Sequence, residues 1–251
     1  MTDALFAAHQ LTALAPDSEK KLLQEVSLSI PKSGITLLTG RNGSGKTILL
    51  RTLIGLHDTW HGECLYNGRS LRKSIPRIRR EVGFLFQNPL YQLVERSVLD
   101  DIILSLRYRG ISRTEALKQI EPIVESLQLS SLLHRDPYSL STGEQRRTII
   151  AGMLAGGAKT LLLDEPFTGL DYPGACELIR HILQLRSAGC SVIVCTHDLI
   201  KIFKHSDHCI VLEDGMLRYS GDAEGLRQLQ HQDDRKLELE PITDAGCGSY
   251  P

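Results

Sequence analysis

The run Gly40-Arg41-Asn42-Gly43-Ser44-Gly45-Lys46-Thr47 fits the spacing G-x-x-x-x-G-K-[ST]. Each residue type in it has a use on phosphate. Glycines at 40, 43 and 45 let the backbone curl until successive N–H groups point inward at anionic oxygens. Lys46 can reach the outer phosphates of a nucleoside triphosphate, and Thr47 can place its hydroxyl on Mg²⁺. The flanks favour this reading over a glycine-rich turn that binds nothing. Ile35-Thr36-Leu37-Leu38-Thr39 reads as a buried strand entering the loop, and Ile48-Leu49-Leu50-Arg51-Thr52-Leu53 as a helix leaving it. The positive end of that helix adds to the anion site.

Downstream, the apolar run Thr160-Leu161-Leu162-Leu163 ends in Asp164-Glu165. Two carboxylates at the end of a buried strand are costly unless they meet a cation or do water chemistry. Asp164 fits a Mg²⁺ partner, and Glu165 fits the base that polarises an attacking water. His197, after Ser191-Val192-Ile193-Val194-Cys195-Thr196, stands at the carboxyl end of another strand, where α/β sheets bind ligands. It is read as a γ-phosphate contact. Gln87, after the strand-like Glu81-Val82-Gly83-Phe84-Leu85-Phe86, is a neutral amide able to touch Mg²⁺ or the water and to move with its loop. Leu140-Ser141-Thr142-Gly143-Glu144 opens a helix. Ser141 and Glu144 fit a capping box, and the same helix terminus can hold an anion.

These residues must be positioned by alternating strands and helices. Residues from about 4 to 40 alternate apolar and polar, as antiparallel strands would, and Gly62–Tyr66 reads as a further strand closed by the Asn67-Gly68 turn. From about 97 to 156 the pattern is helical, with Leu117, Ile120, Ile123, Val124 and Leu127 at helical spacing. A strand is then expected at 160–164, a helix near 173–187, a strand at 190–195, a short helix, and strands near 208–213 and 216–220. Residues 231–251 read as a polar tail.

Composition narrows the classes. The chain has 251 residues, 41% hydrophobic and 24% charged, and a net charge of −1, so no overall field draws it to nucleic acid or anionic lipid. Arg77, Arg79 and Arg80 read as a solvated cluster. The six cysteines form no C-x-x-C pair and read as buried reduced thiols. No run approaches the roughly 20 apolar residues needed to span a bilayer.

Taken in order, these motifs resemble the ATP-binding cassette (ABC) family of ATPases across about residues 4–228. The resemblance implies an α/β fold: a P-loop NTPase core of ABC type with an N-terminal antiparallel β portion and an inserted α-helical subdomain at about 97–156. Residues 1–230 would form the nucleotide-binding domain and 231–251 the tail. It implies ATP and Mg²⁺ as ligands, with Gly40 to Thr47 on the phosphates and Thr47, Gln87 and Asp164 around the metal. Glu165, His197 and Gln87 would serve catalysis. Thr168-Gly169-Leu170-Asp171 resembles the segment that follows the catalytic strand. Ser141, Thr142, Gly143 and Glu144 would cover the nucleotide of a second, paired ATPase.

Gln87-Asn88-Pro89-Leu90-Tyr91-Gln92-Leu93-Val94 and Val98-Leu99-Asp100-Asp101-Ile102 resemble the ATPases of energy-coupling-factor importers of cobalt, nickel and vitamins. That resemblance implies a second ABC ATPase, an integral membrane scaffold and a substrate-binding membrane subunit as partners, no nucleic acid, and a peripheral place on the cytoplasmic face of the membrane. The alternatives are a soluble ABC ATPase acting on nucleic acid or ribosomes, an ATPase of another ABC transporter class, and a regulatory module that binds without hydrolysing. Two departures from the family pattern stand out. The signature reads L-S-T-G-E where L-S-G-G-Q is usual, and the usual adenine-stacking aromatic is replaced near Ala13-Leu14-Ala15-Pro16.

Overall fold

The computed structural model describes residues 4–232 and Leu239. In chain order the elements are β1 (Ala4–Leu14), β2 (Lys21–Pro31), β3 (Ile35–Thr39), α1 (Lys46–Leu53), β4 (Trp60–Tyr66), β5 (Arg69–Ser70), α2 (Leu71–Glu81) and β6 (Val82–Leu85). There follow α3 (Val98–Tyr108), α4 (Arg113–Ser126), α5 (Thr142–Ala155), β7 (Thr160–Asp164) and α6 (Tyr172–Ser187). The described part closes with β8 (Ser191–Cys195), α7 (Leu199–Ile202), β9 (His208–Glu213), β10 (Met216–Gly221) and α8 (Ala223–Gln232).

Two sheets result. An antiparallel sheet runs β2-β1-β4-β5, and a second runs β10-β9-β3-β8-β7-β6. In the second, β9, β3, β8, β7 and β6 pair in parallel and β10 pairs antiparallel at the edge. Every residue of β3, β7 and β8 is buried, which is why each reads as an unbroken apolar run. Alternation along these strands divides the core. Leu37, Leu161, Leu163, Val192 and Val194 face the layer of α3, α4, α5 and α6. Leu38, Leu162, Ile193 and Cys195 face α1 and the antiparallel sheet. Asp164 shares the parity of Leu162, so its carboxylate is delivered to the α1 face.

Four local expectations shift. Asn67 and Gly68 both take positive φ, 50° and 73°, so the hairpin forms as read, but β4 starts earlier, at Trp60. In α4 the buried stripe is Ala116, Ile120 and Val124, and Leu117 is exposed, because spacings of four place Ala116 on the core side. The Arg77, Arg79 and Arg80 cluster lies on α2, a helix that the sequence reading missed. Pro76 inside it hides the helical pattern, and only Leu71, Ser74 and Ile78 are buried. Cys64, Cys190, Cys195 and Cys209 are free and buried, whereas Cys176 is disulfide-bonded, which corrects the expectation of six reduced thiols. Most of the tail expected over 231–251 lies outside the described residues.

Candidate functional site

The glycine loop joins β3 to α1, and its shape demands glycine where it is tightest. Gly40 has φ 138°, and a Cβ there would sit 2.0 Å from the Leu212 carbonyl oxygen. Gly45, at the start of α1, has φ 99°, and its Cβ would meet Leu23 at 2.7 Å. Lys46 is buried. Its Nζ donates to the Gly40 and Arg41 carbonyls at 2.7 and 2.9 Å, which holds the ammonium against the loop. The turn Asp214-Gly215 between β9 and β10 braces the loop from outside: the Gly215 N–H donates to the Ser44 carbonyl at 3.2 Å. An Asp-Gly turn is legible in sequence, but its contact with the loop is not.

Thr47, one residue into α1, donates its hydroxyl to the Asp164 carboxylate, at 3.0 Å from Oδ2 and 3.2 Å from Oδ1. Burial holds the Asp164 carboxyl above its usual range, and hydrogen bonds from Thr47 and from the Cys195 thiol offset only part of the rise. The neighbouring Glu165 turns the chain at φ 48°. Such a left-handed residue other than glycine stores about 1–3 kcal/mol of strain and persists where its surroundings fix it. Here the Glu165 N–H donates to the Cys195 carbonyl at 2.8 Å. Its Oε1 lies 2.9 Å from His197 Nδ1, and its Oε2 accepts the Thr196 hydroxyl at 3.1 Å. The sequence reading singled out Glu165 and His197. It passed over Thr196, whose only signal was a hydroxyl next to the histidine.

Gly43, Gly45, Lys46, Thr47, Gln87, Glu165 and His197 line one open cleft of about 750 Å³, with Asn42 and Thr168. Gly40, Arg41 and Ser44 belong to the loop but not to the cleft wall. Gln87 is exposed, just past β6. Its segment is clipped by Gln92, which accepts the Phe86 N–H and donates to the Phe84 carbonyl, both at 2.8 Å. Beside the loop the wall is Lys20, Lys21 and Leu22. None of Ala13 to Pro16, where the family's adenine-stacking aromatic would fall, lines this cleft, and Ala13 is fully buried in the core.

Ser141, Thr142, Gly143 and Glu144 do not line this cleft. Ser141 caps α5, and the capping box is complete: the Glu144 N–H donates to Ser141 Oγ, and Glu144 Oε2 accepts the Ser141 N–H at 2.8 Å. Burial opposes charge on Glu144. Hydrogen bonds from the Ser141 hydroxyl and N–H, with Arg135 and Arg147 nearby, outweigh it and hold the carboxyl below its usual range. One turn on, Arg146 is 1% exposed and donates to the Thr168 carbonyl at 2.6 Å. Burial brings its pKa down to about 10.

Hard oxygen donors meet at Thr47 and Asp164, where the partners of a buried carboxylate among the described residues are a hydroxyl and a thiol, a donor set that suits Mg²⁺. The loop's glycines and the Lys46 ammonium suit a polyphosphate.

A profile of the ABC transporter family matches residues 23–168. EcfA, an energy-coupling factor transporter ATP-binding protein of Carboxydothermus hydrogenoformans, is 34% identical over 232 residues, 91% of this chain and 86% of its own length. EcfA2 of Ligilactobacillus salivarius is 37% identical over 200 residues, 77% of this chain and 69% of its own. Among solved structures, cbiO1 from Clostridium perfringens, part of the ABC transporter complex cbiONQ, superposes with a TM-score of 0.83 at 25% identity, over 94% of this chain and 96% of that one. A nucleotide-free ATP-binding cassette gives 0.78 at 23% identity, over 92% and 96%, a likeness of fold alone. The chain belongs to the ABC transporter family. It is an ATP-binding, ATP-hydrolysing subunit of a transporter, and energy-coupling factor ATP-binding proteins are among its relatives.

Proposed function

We propose that this chain hydrolyses ATP to energise an importer of the energy-coupling-factor type, carrying a metal ion such as cobalt or nickel, or a vitamin. It would work as one of two paired ATPases on the cytoplasmic face of a membrane. The partners would be an integral membrane scaffold and a substrate-binding membrane subunit. Helices α3 to α5 would act as a helical subdomain within a single nucleotide-binding domain. The likeness to EcfA and EcfA2 supports the transporter type.

The observation that carries the reading is a division of the motifs. Glu165, His197, Gln87, Thr47 and Lys46 share one cleft, while Ser141, Thr142, Gly143 and Glu144, at the start of α5, are not part of its wall. A site built this way is completed by the corresponding helix of a second chain. Gly40 to Thr47 would bind the phosphates of ATP, with Lys46 on the outer ones. Thr47, Asp164 and Gln87 would hold Mg²⁺, which neutralises charge on the phosphate oxygens when bound. Glu165 would take the proton of a water whose oxygen forms the new bond to the γ-phosphorus. The bond to the β–γ bridging oxygen breaks and ADP leaves. His197 and Gln87 would orient the γ-phosphate and the water.

Glu165→Gln tests this. It should lower kcat about 10²–10⁴-fold, the span of general-base contributions, and accumulate an ATP-bound dimer seen by light scattering. Unchanged turnover and unchanged dimerisation would refute catalysis by this chain.

A further inference from the structure

Glu165 is fastened on both carboxylate oxygens by consecutive residues of unlike exposure. Thr196 is fully buried, whereas the His197 side chain is 48% exposed and lines the cleft. The Thr196 hydroxyl is fixed in orientation. Its oxygen accepts the Asp198 N–H at 3.1 Å, so its single hydrogen goes to Glu165 Oε2 at 3.1 Å. The Thr196 N–H donates to the Leu38 carbonyl at 3.0 Å, at the end of β3, the strand that carries the glycine loop. One buried residue therefore ties the Glu165 carboxylate to the strand that sets the position of Lys46 and Thr47. His197 holds the other oxygen through a half-exposed ring able to rotate toward the cleft.

We propose that Thr196 is a positioning residue for hydrolysis: its hydroxyl is the permanent anchor of Glu165, and His197 is the releasable one. When the imidazole turns to a γ-phosphate, Glu165 loses one partner and keeps the other. The carboxylate then stays at the height of the loop, with Oε1 freed to accept a proton from water. Without Thr196 the strained Glu165 would be left with its backbone tie alone once the histidine departs. This inference rests on the reading of Glu165 as the base.

The test uses the full-length chain purified with its membrane partners, with melting temperature followed in parallel. Thr196→Ser and Thr196→Ala both delete the methyl and differ only in the hydroxyl. The alanine variant should lose about 10–100-fold in kcat, the cost of a misplaced catalytic group, with the KM for ATP unchanged, and the serine variant should recover most of the loss. Combined with Glu165→Gln, the alanine change should cost nothing further. Equal kcat in the serine and alanine variants overturns the anchor role. So does a further loss in the Glu165→Gln background, which would make Thr196 structural. If Glu165→Gln alone keeps full turnover, the base reading fails instead.

Discussion

Two glycines in the same loop face different penalties. At Gly40 a side chain meets both a forbidden φ and the Leu212 carbonyl at 2.0 Å. At Gly43, φ is 84° but nothing lies within 4 Å of a Cβ. Gly43→Ala should therefore cost only the conformational penalty of about 1–2 kcal/mol. Gly40→Ala should in addition displace the loop from β9 and reduce ATP affinity more than tenfold, measured by calorimetry with melting curves as control. Equal losses for the two would mean that φ alone governs the loop. The types and order of Gly40, Lys46, Thr47, Asp164 and Glu165 were legible in the chain because each chemistry needs its residue type at a fixed local spacing. Thr196 was not, because a threonine beside a strand end has no local spacing that marks it, and only its hydrogen bonds to Glu165, Asp198 and Leu38 give it a role.

At the scale of the element, α5 shows how a departure from the family pattern is accommodated. Glu144, where Gln is usual, spends its carboxylate on the Ser141 cap. Its folded pKa is lowered, so this contribution to stability is complete above the unfolded value of about 4.3 and is lost as pH falls through the folded value. The melting temperature of wild type should exceed that of Glu144→Gln at pH 7, and the gap should close near pH 3. In the proposed pairing the same charge would be unhelpful beside the second chain's triphosphate, and Thr142 would add bulk there. The double change Thr142→Gly, Glu144→Gln should raise the ATPase rate of the assembly; an unchanged rate would show that neither departure limits turnover. The capping box was readable from S-x-x-E. The hidden helix α2 and the outward Leu117 were not, because a proline and a neighbouring alanine obscured which face was buried.

At the scale of the whole molecule, Ser141 to Glu144 are not part of the cleft wall, and the proposed site would be completed by a second chain. An isolated chain should bind ATP through Gly40 to Thr47 and hydrolyse it slowly. Specific activity should rise with chain concentration and rise further in the membrane assembly. A constant specific activity across dilution, with the chain monomeric by sedimentation, would show that a single chain completes its own site. Among the described residues no helix is long and apolar enough to cross a membrane.

The sequence by itself determined the nucleotide chemistry and the parallel core. Phosphate loops need glycines and lysine at set spacing, and strands buried on both faces must be apolar throughout. Only the tertiary structure decided which residues share a wall. Lys20 to Leu22 and Asp214-Gly215 flank the loop through sheet pairing between distant segments, and Ala13 is drawn into the core instead. The same pairing sets β8 between β3 and β7, which puts Thr196 within reach of both Leu38 and Glu165. Contacts of that kind depend on the register of neighbouring strands, and no spacing along the chain records it.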